Sequence, residues 1–127
     1  MYVMIDTSER DTIALSLFDQ TQKKEVRVNA SNRELLQTID SFFTSENLLP
    51  DAIDGIMVVV GEGSFTSTRL ATTVANTFGY VQHIPLLALS KKQAEDPQSM
   101  ISSLLEQPSD QYLSATYSGV PNLEKSI

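Results

Sequence analysis

Alternation of apolar and polar residues predicts strands in the first quarter of the chain. Residues 2–5 form a short apolar run that ends at Asp6-Thr7-Ser8, a combination typical of a turn. Residues 12–19 and 25–30 then alternate with a period of two. The pattern predicts an antiparallel meander of three strands, half exposed. The alternating apolar positions are Ile13, Leu15 and Leu17 in the second segment and Val26 and Val28 in the third.

The spacing of apolar residues then changes to that of a helix. Ser31 and Glu34 fit a capping box, and the helical pattern that follows ends at Asn47 and Pro50. A continuous apolar run at residues 54–60 indicates a strand that is buried on both faces. The apolar positions of the helix are Leu35, Leu36, Ile39, Phe42 and Phe43.

A tight turn and a second helix follow the buried strand. The turn is Gly61-Glu62-Gly63-Ser64, the helix runs from about residue 65 to His83, and Pro85 precedes a fifth strand at residues 86–89. We interpret His83 as the residue that ends the helix. Residues 54–89 are long enough for a parallel strand–helix–strand crossover, so the fold class is α/β with a mixed sheet.

The last third of the chain carries weaker patterns. Residues 99–106 have helical character between Pro97 and Pro108, and residues 112–117 alternate like a strand. The residues that follow contain Gly119 and Pro121, which break regular structure.

Composition excludes several classes of function. The chain has 127 residues, a net charge of −7 and a pI of about 4.5, whereas nucleic-acid binding surfaces are usually basic. The absence of cysteine removes disulfides and thiolate metal sites, and a single histidine argues against a multi-histidine metal site. No apolar run is long enough to span a membrane, and no signal peptide is evident. We therefore expect a cytoplasmic protein of one domain.

The segment Gly61–Arg69 is the most specific motif in the chain. Its two glycines permit positive φ angles, Ser64 can cap the following helix, and the amides at a helix start can hold an anion. Two interpretations stay open on spacing alone: a tight capped turn without a ligand, or a site for a phosphate or other anion.

Two motifs of this sequence resemble the TsaB (YeaZ-like) family. Members of that family carry Ile-Asp-Thr-Ser after the first strand and Gly-Pro-Gly-Ser-Phe-Thr-Gly-x-Arg after an apolar strand. The resemblance extends from residue 1 to about residue 94 and includes the Ile84-Pro85-Leu86 and Leu89-Ser90 turns. The matching motif residues are Asp6, Thr7, Ser8, Gly61, Gly63, Ser64, Phe65, Thr66 and Arg69.

The chain also departs from the family pattern. Glu62 stands in place of the proline, Ser67 in place of the third glycine, and Ser31-Asn32-Arg33 where the family usually has His-Ser-Glu. The family has a second lobe of comparable size, whereas only residues 91–127 follow Ser90 here. The resemblance therefore implies a chain truncated to its N-terminal lobe, at residues 1–94. Residues 95–127 would supply a short helix, a strand remnant and a tail.

The resemblance implies both a fold and a function. The fold is a single ribonuclease-H-like lobe of the actin/Hsp70 (ASKHA) superfamily, with a mixed five-stranded sheet. The function is that of a non-catalytic scaffold that supports TsaD in tRNA threonylcarbamoyladenosine modification. It would contact tRNA only indirectly and carry neither metal nor cofactor. It would bind a TsaD-like partner, or a second copy of itself, through two helices. The expected interface residues are Leu35, Leu36, Ile39, Phe43, Ala71, Ala75, Phe78 and Gly79.

Two other functions remain open beside the scaffold. One is a homodimeric structural remnant without the family role. The other is a nucleotide- or anion-binding lobe that uses Asp6-Thr7-Ser8 and residues 61–66. A single lobe is poorly suited to ATP hydrolysis, because it cannot close around a phosphoryl group and exclude water. Asp6 also fits the simpler role of a turn residue that accepts hydrogen bonds from nearby amides.

Overall fold

The computed structural model describes residues 1–114, and its centre is a mixed five-stranded sheet. The strand order is β3-β2-β1-β4-β5. β1 pairs antiparallel with β2 and parallel with β4, which in turn pairs parallel with β5. The predicted fold class is thus confirmed. The elements are β1 (Tyr2–Asp6), β2 (Thr12–Phe18), β3 (Lys23–Asn29), α1 (Leu35–Ser45), β4 (Gly55–Val59), α2 (Phe65–Gln82), β5 (Leu86–Leu89) and α3 (Ile101–Leu105).

The meander is buried more deeply than the sequence pattern predicted. β1 and β2 are buried along almost their whole length, and only the edge strand β3 is largely exposed. The half-exposed prediction is wrong for β1 and β2, because the residues between the alternating ones face a second layer of side chains. Phe18 on β2 is fully buried there, with its ring centroid 5.9 Å from that of Tyr2.

Two apolar clusters cover the two faces of the sheet. α1 and α2 pack on one face, where α1 contributes Leu35, Ile39 and Phe43. The other face is covered by α3, through Ile101 and Leu104. A sheet with parallel central strands needs this cover on both sides, since neither face is then solvated.

The helix ends follow the predicted capping chemistry. Ser31 and Glu34 form the predicted capping box, which starts a 3-10 turn (Asn32–Glu34) directly before α1. The Ser64 hydroxyl accepts a hydrogen bond of 3.0 Å from the Ser67 amide and so caps α2. His83 ends α2 in the left-handed region at φ 57°, which confirms its predicted position.

The predicted C-terminal elements are found in part. A helix forms at Ile101–Leu105, inside the predicted range 99–106. Residues 112–114 form no strand, and the rest of the predicted strand, residues 115–117, lies outside the described residues. The division of the chain at residue 94 stays a prediction; α3 itself packs on the same sheet. Among residues 1–114, every helix is too short or too polar to cross a membrane.

Leu104 fastens α3 to the sheet, so its truncation should destabilise the protein. The side chain is fully buried over Gly55, where an added Cβ would lie 2.6 Å from Leu104 Cδ2. We expect Leu104→Ala to lower the free energy of unfolding by about 2–5 kcal/mol, because it leaves a cavity. Leu105 is 54% exposed, so Leu105→Ala should change it by less than about 0.5 kcal/mol. Urea denaturation checks both, and equal losses would contradict this packing.

Candidate functional site

Three turns meet at one edge of the sheet. β1, β4 and β5 run parallel, so their carboxyl ends lie side by side. This edge is where parallel sheets usually place their binding residues. The two sequence motifs, Asp6-Thr7-Ser8 after β1 and Gly61–Ser64 after β4, are therefore neighbours, and Lys91 joins them from the turn after β5.

Asp6, Ser8 and Lys91 form a closed polar network at this edge. Asp6 Oδ1 accepts hydrogen bonds from the Ser8 amide at 2.9 Å and the Ser8 hydroxyl at 2.6 Å. Lys91 Nζ donates to Asp6 Oδ2 at 2.9 Å and to Ser8 Oγ at 2.8 Å. Glu9 lies at the rim of the network, 3.9 Å from the Lys91 ammonium. Every member thus has a partner within the chain.

The network keeps Asp6 ionised although it is buried. Burial alone would raise the pKa of Asp6, but the hydrogen bonds from Ser8 and Lys91 and the Lys91 charge outweigh it. They hold the pKa below its ordinary 3.8. The cation that a buried carboxylate requires is therefore supplied by Lys91. The residues at positions 1–114 contain no group of three or more ligand side chains suited to a metal ion.

Sequence reasoning missed Lys91. It lies 85 residues from Asp6 along the chain, and no local motif joins the two residues. The parallel strand order predicts this proximity, because a residue that directly follows β5 lies at the same edge of the sheet as a residue that ends β1. A basic residue directly after the predicted fifth strand is therefore a candidate partner for the Asp6 carboxylate.

Gly63 lets the second turn lie against the first. Its φ is +91°, and an added Cβ would be 2.9 Å from Ser8 Cα and 3.1 Å from the Thr7 carbonyl oxygen. Gly61 also has a positive φ, at +87°, but open space surrounds it. Gly63 is thus required by both conformation and close approach, and Gly61 by conformation alone.

A polar cleft of about 460 Å³ lies between the two turns and the start of α2. Its wall is internally bonded: Ser64 Oγ donates to Ser67 Oγ at 2.7 Å, and Ser67 Oγ donates to Asn32 Oδ1 at 2.6 Å. Glu9, Arg10 and Asp11 also line the cleft. Glu9 pairs with Arg27 at 3.0 Å, and Asp11 lies 3.8 Å from the Arg10 guanidinium. The cleft residues are Thr7, Ser8, Glu9, Arg10, Asp11, Asn32, Gly63, Ser64 and Ser67.

The residues of the motif that follow Ser64 lie outside the cleft. Phe65, Thr66 and Arg69 are exposed on the first turns of α2, and the Arg69 guanidinium lies over the Phe65 ring, 5.2 Å from its centroid. This contact is a cation–π pair. Of the nine motif residues, only Thr7, Ser8, Gly63 and Ser64 line the cleft.

Most of the predicted interface residues belong to the core. Leu35, Ile39, Phe43, Ala71, Ala75 and Gly79 are buried within the chain itself, so these six side chains offer little surface to a partner. Ala71, Ala75 and Gly79 recur at a spacing of four, and their small side chains bring α2 close to the sheet. At Gly79, an added Cβ would lie 3.0 Å from the Leu86 side chain on β5.

The other two predicted interface residues, Phe78 and Leu36, are less buried than these six. Phe78 is partly buried in an edge-to-face contact with Phe43, with ring centroids 6.0 Å apart. Leu36 is 68% exposed. Asn32 contacts Ser67, and Phe43 contacts Phe78, so α1 and α2 run in the same direction and Leu36 lies level with the start of α2.

Apolar side chains remain exposed on the two helices beside these positions. We define the outer face as Leu36 of α1 together with Leu70 and Val81 of α2. Val81 is 61% exposed, and Leu70 is 38% exposed. Leu70 and Val81 recur at helical spacing along the sequence, and the structure places both on the solvent side of α2.

The two glycines of the turn make a matched pair for substitution. We expect Gly61→Ala to lower the free energy of unfolding by about 1–2 kcal/mol, because a Cβ disfavours positive φ. Gly63→Ala should cost at least about 1 kcal/mol more, because the backbone at Ser8 must also shift. Thermal unfolding of both variants checks the order, and an equal loss would contradict the close approach.

Lys91→Met should lower the free energy of unfolding, because it leaves the buried Asp6 carboxylate without its cation. We expect a loss of about 1–3 kcal/mol at pH 7, less than for a fully buried pair since Lys91 is about one-third exposed. The folded-state pKa of Asp6 is depressed, so its stabilising contribution is present above pH 3.8 and disappears as pH falls through the folded-state pKa. The difference between wild type and variant should therefore shrink below about pH 4.

The neighbouring Lys92 provides the control, because it is exposed and makes no ion pair among residues 1–114. Lys92→Met should leave the free energy of unfolding within about 0.5 kcal/mol of wild type. Unfolding curves between pH 3 and pH 7 test both variants. A Lys91→Met loss that does not depend on pH would mean that packing, rather than the ion pair, is the cause.

Comparisons with known proteins agree with this architecture. YeaZ from Pseudomonas aeruginosa superposes with a TM-score of 0.63 at 19% identity, over 76% of this chain and 49% of that chain. A crystal structure of an uncharacterized protein with similarity to peptidase YEAZ from the same organism gives 0.63 and 19%, over 75% and 48%. The likeness shows that the two proteins share this α/β fold. The chain spans about half the length of both structures, and no curated protein matches it.

A family model described as "TsaD: tRNA N6-adenosine threonylcarbamoyltransferase" matches residues 25–115. The match includes α1, the glycine turn, α2 and Lys91, and it covers more than two thirds of the chain. The fold of the described residues is that of YeaZ. By this match the chain belongs to the TsaD family, in which it resembles the TsaB (YeaZ) type.

Proposed function

We propose that this chain is a non-catalytic scaffold in tRNA threonylcarbamoyladenosine modification, which binds a TsaD-like transferase through the outer face. Membership of the TsaD family and the YeaZ-like fold support a role in this modification. The observation that carries the proposal is the set of exposed apolar side chains on α1 and α2.

The outer face has the chemistry of a helix-packing surface. Large apolar side chains that are exposed together on one surface are a mark of protein–protein contact sites. Leu36 lies on the side of α1 that faces α2, because Phe43, close to it around the helix, contacts Phe78. A partner helix laid along the seam between α1 and α2 would cover Leu36 and Leu70 together.

The polar edge of the sheet supports a non-catalytic role. Asp6 is compensated by Lys91 and Ser8, so its carboxylate is already satisfied within the chain. The adjacent cleft is lined by Arg10 as well as by Glu9 and Asp11, so its charges are mixed and it offers no cluster of cations for the phosphates of a nucleotide. In this proposal the partner supplies the metal, the nucleotide and the transfer chemistry.

The charge of the chain supports indirect contact with tRNA. A net charge of −7 opposes binding to a polyanion, since affinity for nucleic acid rises with the number of neutralised phosphates. An acidic scaffold would therefore position the transferase rather than hold the RNA.

The proposal predicts a complex that depends on Leu36. Size-exclusion chromatography with light scattering, on this chain mixed with a TsaD-family transferase from the same organism, should show a one-to-one complex. Leu36→Arg should weaken the complex at least tenfold, because it places a charge in an apolar contact. Titration calorimetry measures the change in affinity.

Ser41→Arg provides the matched control for this prediction. Ser41 is exposed on α1, about 140° around the helix from Leu36 and away from α2, so its variant should bind like wild type. Equal weakening by both substitutions would locate the contact elsewhere. Failure to bind, together with a homodimer that Leu36→Arg dissociates, would replace the proposal by the homodimeric remnant.

A further inference from the structure

β3 leaves one side of its backbone unpaired at the edge of the sheet. Among residues 1–114, β2 is the only strand that pairs with it. All of its residues are exposed except Val26, which is partly buried. An unpaired strand edge presents amide and carbonyl groups to which another extended chain can add. The free edge of β3 is therefore a candidate interaction surface.

The hydrogen-bond pattern shows which residues face this edge. At one end of the ladder between β2 and β3, the Asp19 amide donates to the Gln22 carbonyl at 3.0 Å. At the other end, the Ala30 amide donates to the Asp11 carbonyl at 3.0 Å. Hydrogen-bonded pairs alternate along an antiparallel ladder, so the even-numbered residues of β3 bond to β2. The odd-numbered residues direct their backbone groups to the free edge; they are Lys23, Glu25, Arg27 and Asn29.

The charges on this edge are self-complementary in one antiparallel register. When Val26 lies opposite Val26 of a second copy, Glu25 of each chain lies opposite Arg27 of the other. Both residues face the edge, so each such pair combines backbone hydrogen bonds with opposite charges, which stabilises a cross-strand pair. A shift by two residues places Glu25 opposite Glu25, or Arg27 opposite Arg27, and like charges disfavour both registers. The charges therefore select the register centred on Val26.

The same register brings apolar side chains together on the face that α1 covers. Val26 packs against the apolar cluster beneath α1, and it would meet its own copy at the axis as a non-hydrogen-bonded pair, in which side chains lie closest. Val28 is 36% exposed and would lie opposite Lys24 of the second copy. The Lys24 ammonium is held 3.1 Å from Glu46, so its alkyl stem remains available to cover Val28.

We propose that a second copy of this chain adds antiparallel to β3 and continues the sheet across a two-fold axis. The pairing would supply about eight backbone hydrogen bonds, two for each of the four edge-facing residue pairs. This surface shares no residue with the outer face, so each copy keeps its outer face for a transferase. The inference therefore goes beyond the proposed function and does not depend on it.

Reversal and exchange of the charges on β3 test the proposal. Sedimentation velocity of the full chain should show a dimer that forms as concentration rises. Glu25→Arg and Arg27→Glu should each weaken dimerisation at least about tenfold, because each places like charges opposite one another twice across the axis. The double variant, which carries both substitutions, restores opposite charges and should regain most of the lost affinity.

Glu106→Arg provides the matched control for Glu25→Arg. It makes the same change of charge at an exposed residue after α3, so it should dimerise like wild type. Circular dichroism and thermal unfolding verify that every variant folds. Hydrogen exchange tests the register in wild type: the Glu25 and Arg27 amides should be protected in the dimer and exchange rapidly in the dilute chain. The Val26 amide, which bonds to β2, should be protected in both.

Four outcomes would overturn the inference. They are a chain that stays monomeric at millimolar concentration, a dimer that neither reversal weakens, a double variant that regains no affinity, and a dimer that Leu36→Arg dissociates instead. The last outcome would place the contact between copies on the outer face. Binding of the transferase is measured separately, so either proposal can fail while the other stands.

Discussion

The parallel pairing of β1 with β4 and of β4 with β5 is the constraint on which the rest of the structure depends. Parallel strands require crossover connections and are buried on both faces. α2 supplies the crossover from β4 to β5, and α3 covers the opposite face. The same pairing brings the carboxyl ends of the three strands together, so it also creates the polar edge that holds the two sequence motifs.

At that edge the chain satisfies its own polar groups. One hydrogen-bonded network joins Asp6, Ser8 and Lys91. A second chain of hydrogen bonds joins Ser64, Ser67 and Asn32. A buried carboxylate is stable only with such partners. Gly63 permits contact between the two turns, so the glycine motif also joins them structurally.

The helices divide their surfaces between core and exterior. The small residues of α2 bring it close to the sheet, as Gly79 does against Leu86, and its exposed side carries Leu70, Tyr80 and Val81. On the flank of α2 away from α1, Asn76 exchanges two hydrogen bonds with the Leu113 backbone.

The sequence by itself determined the order and type of the elements, the caps at Ser31 and Ser64, and the resemblance to the TsaB family. These features depend on periodicity and on contacts within a few residues, which the chain carries locally. Only the tertiary structure decided the partner of Asp6, the burial of Ala71 and Ala75, and the attachment of Leu113. Each depends on residues far apart in sequence, or on the direction from which a helix meets the sheet, and neither leaves a local pattern.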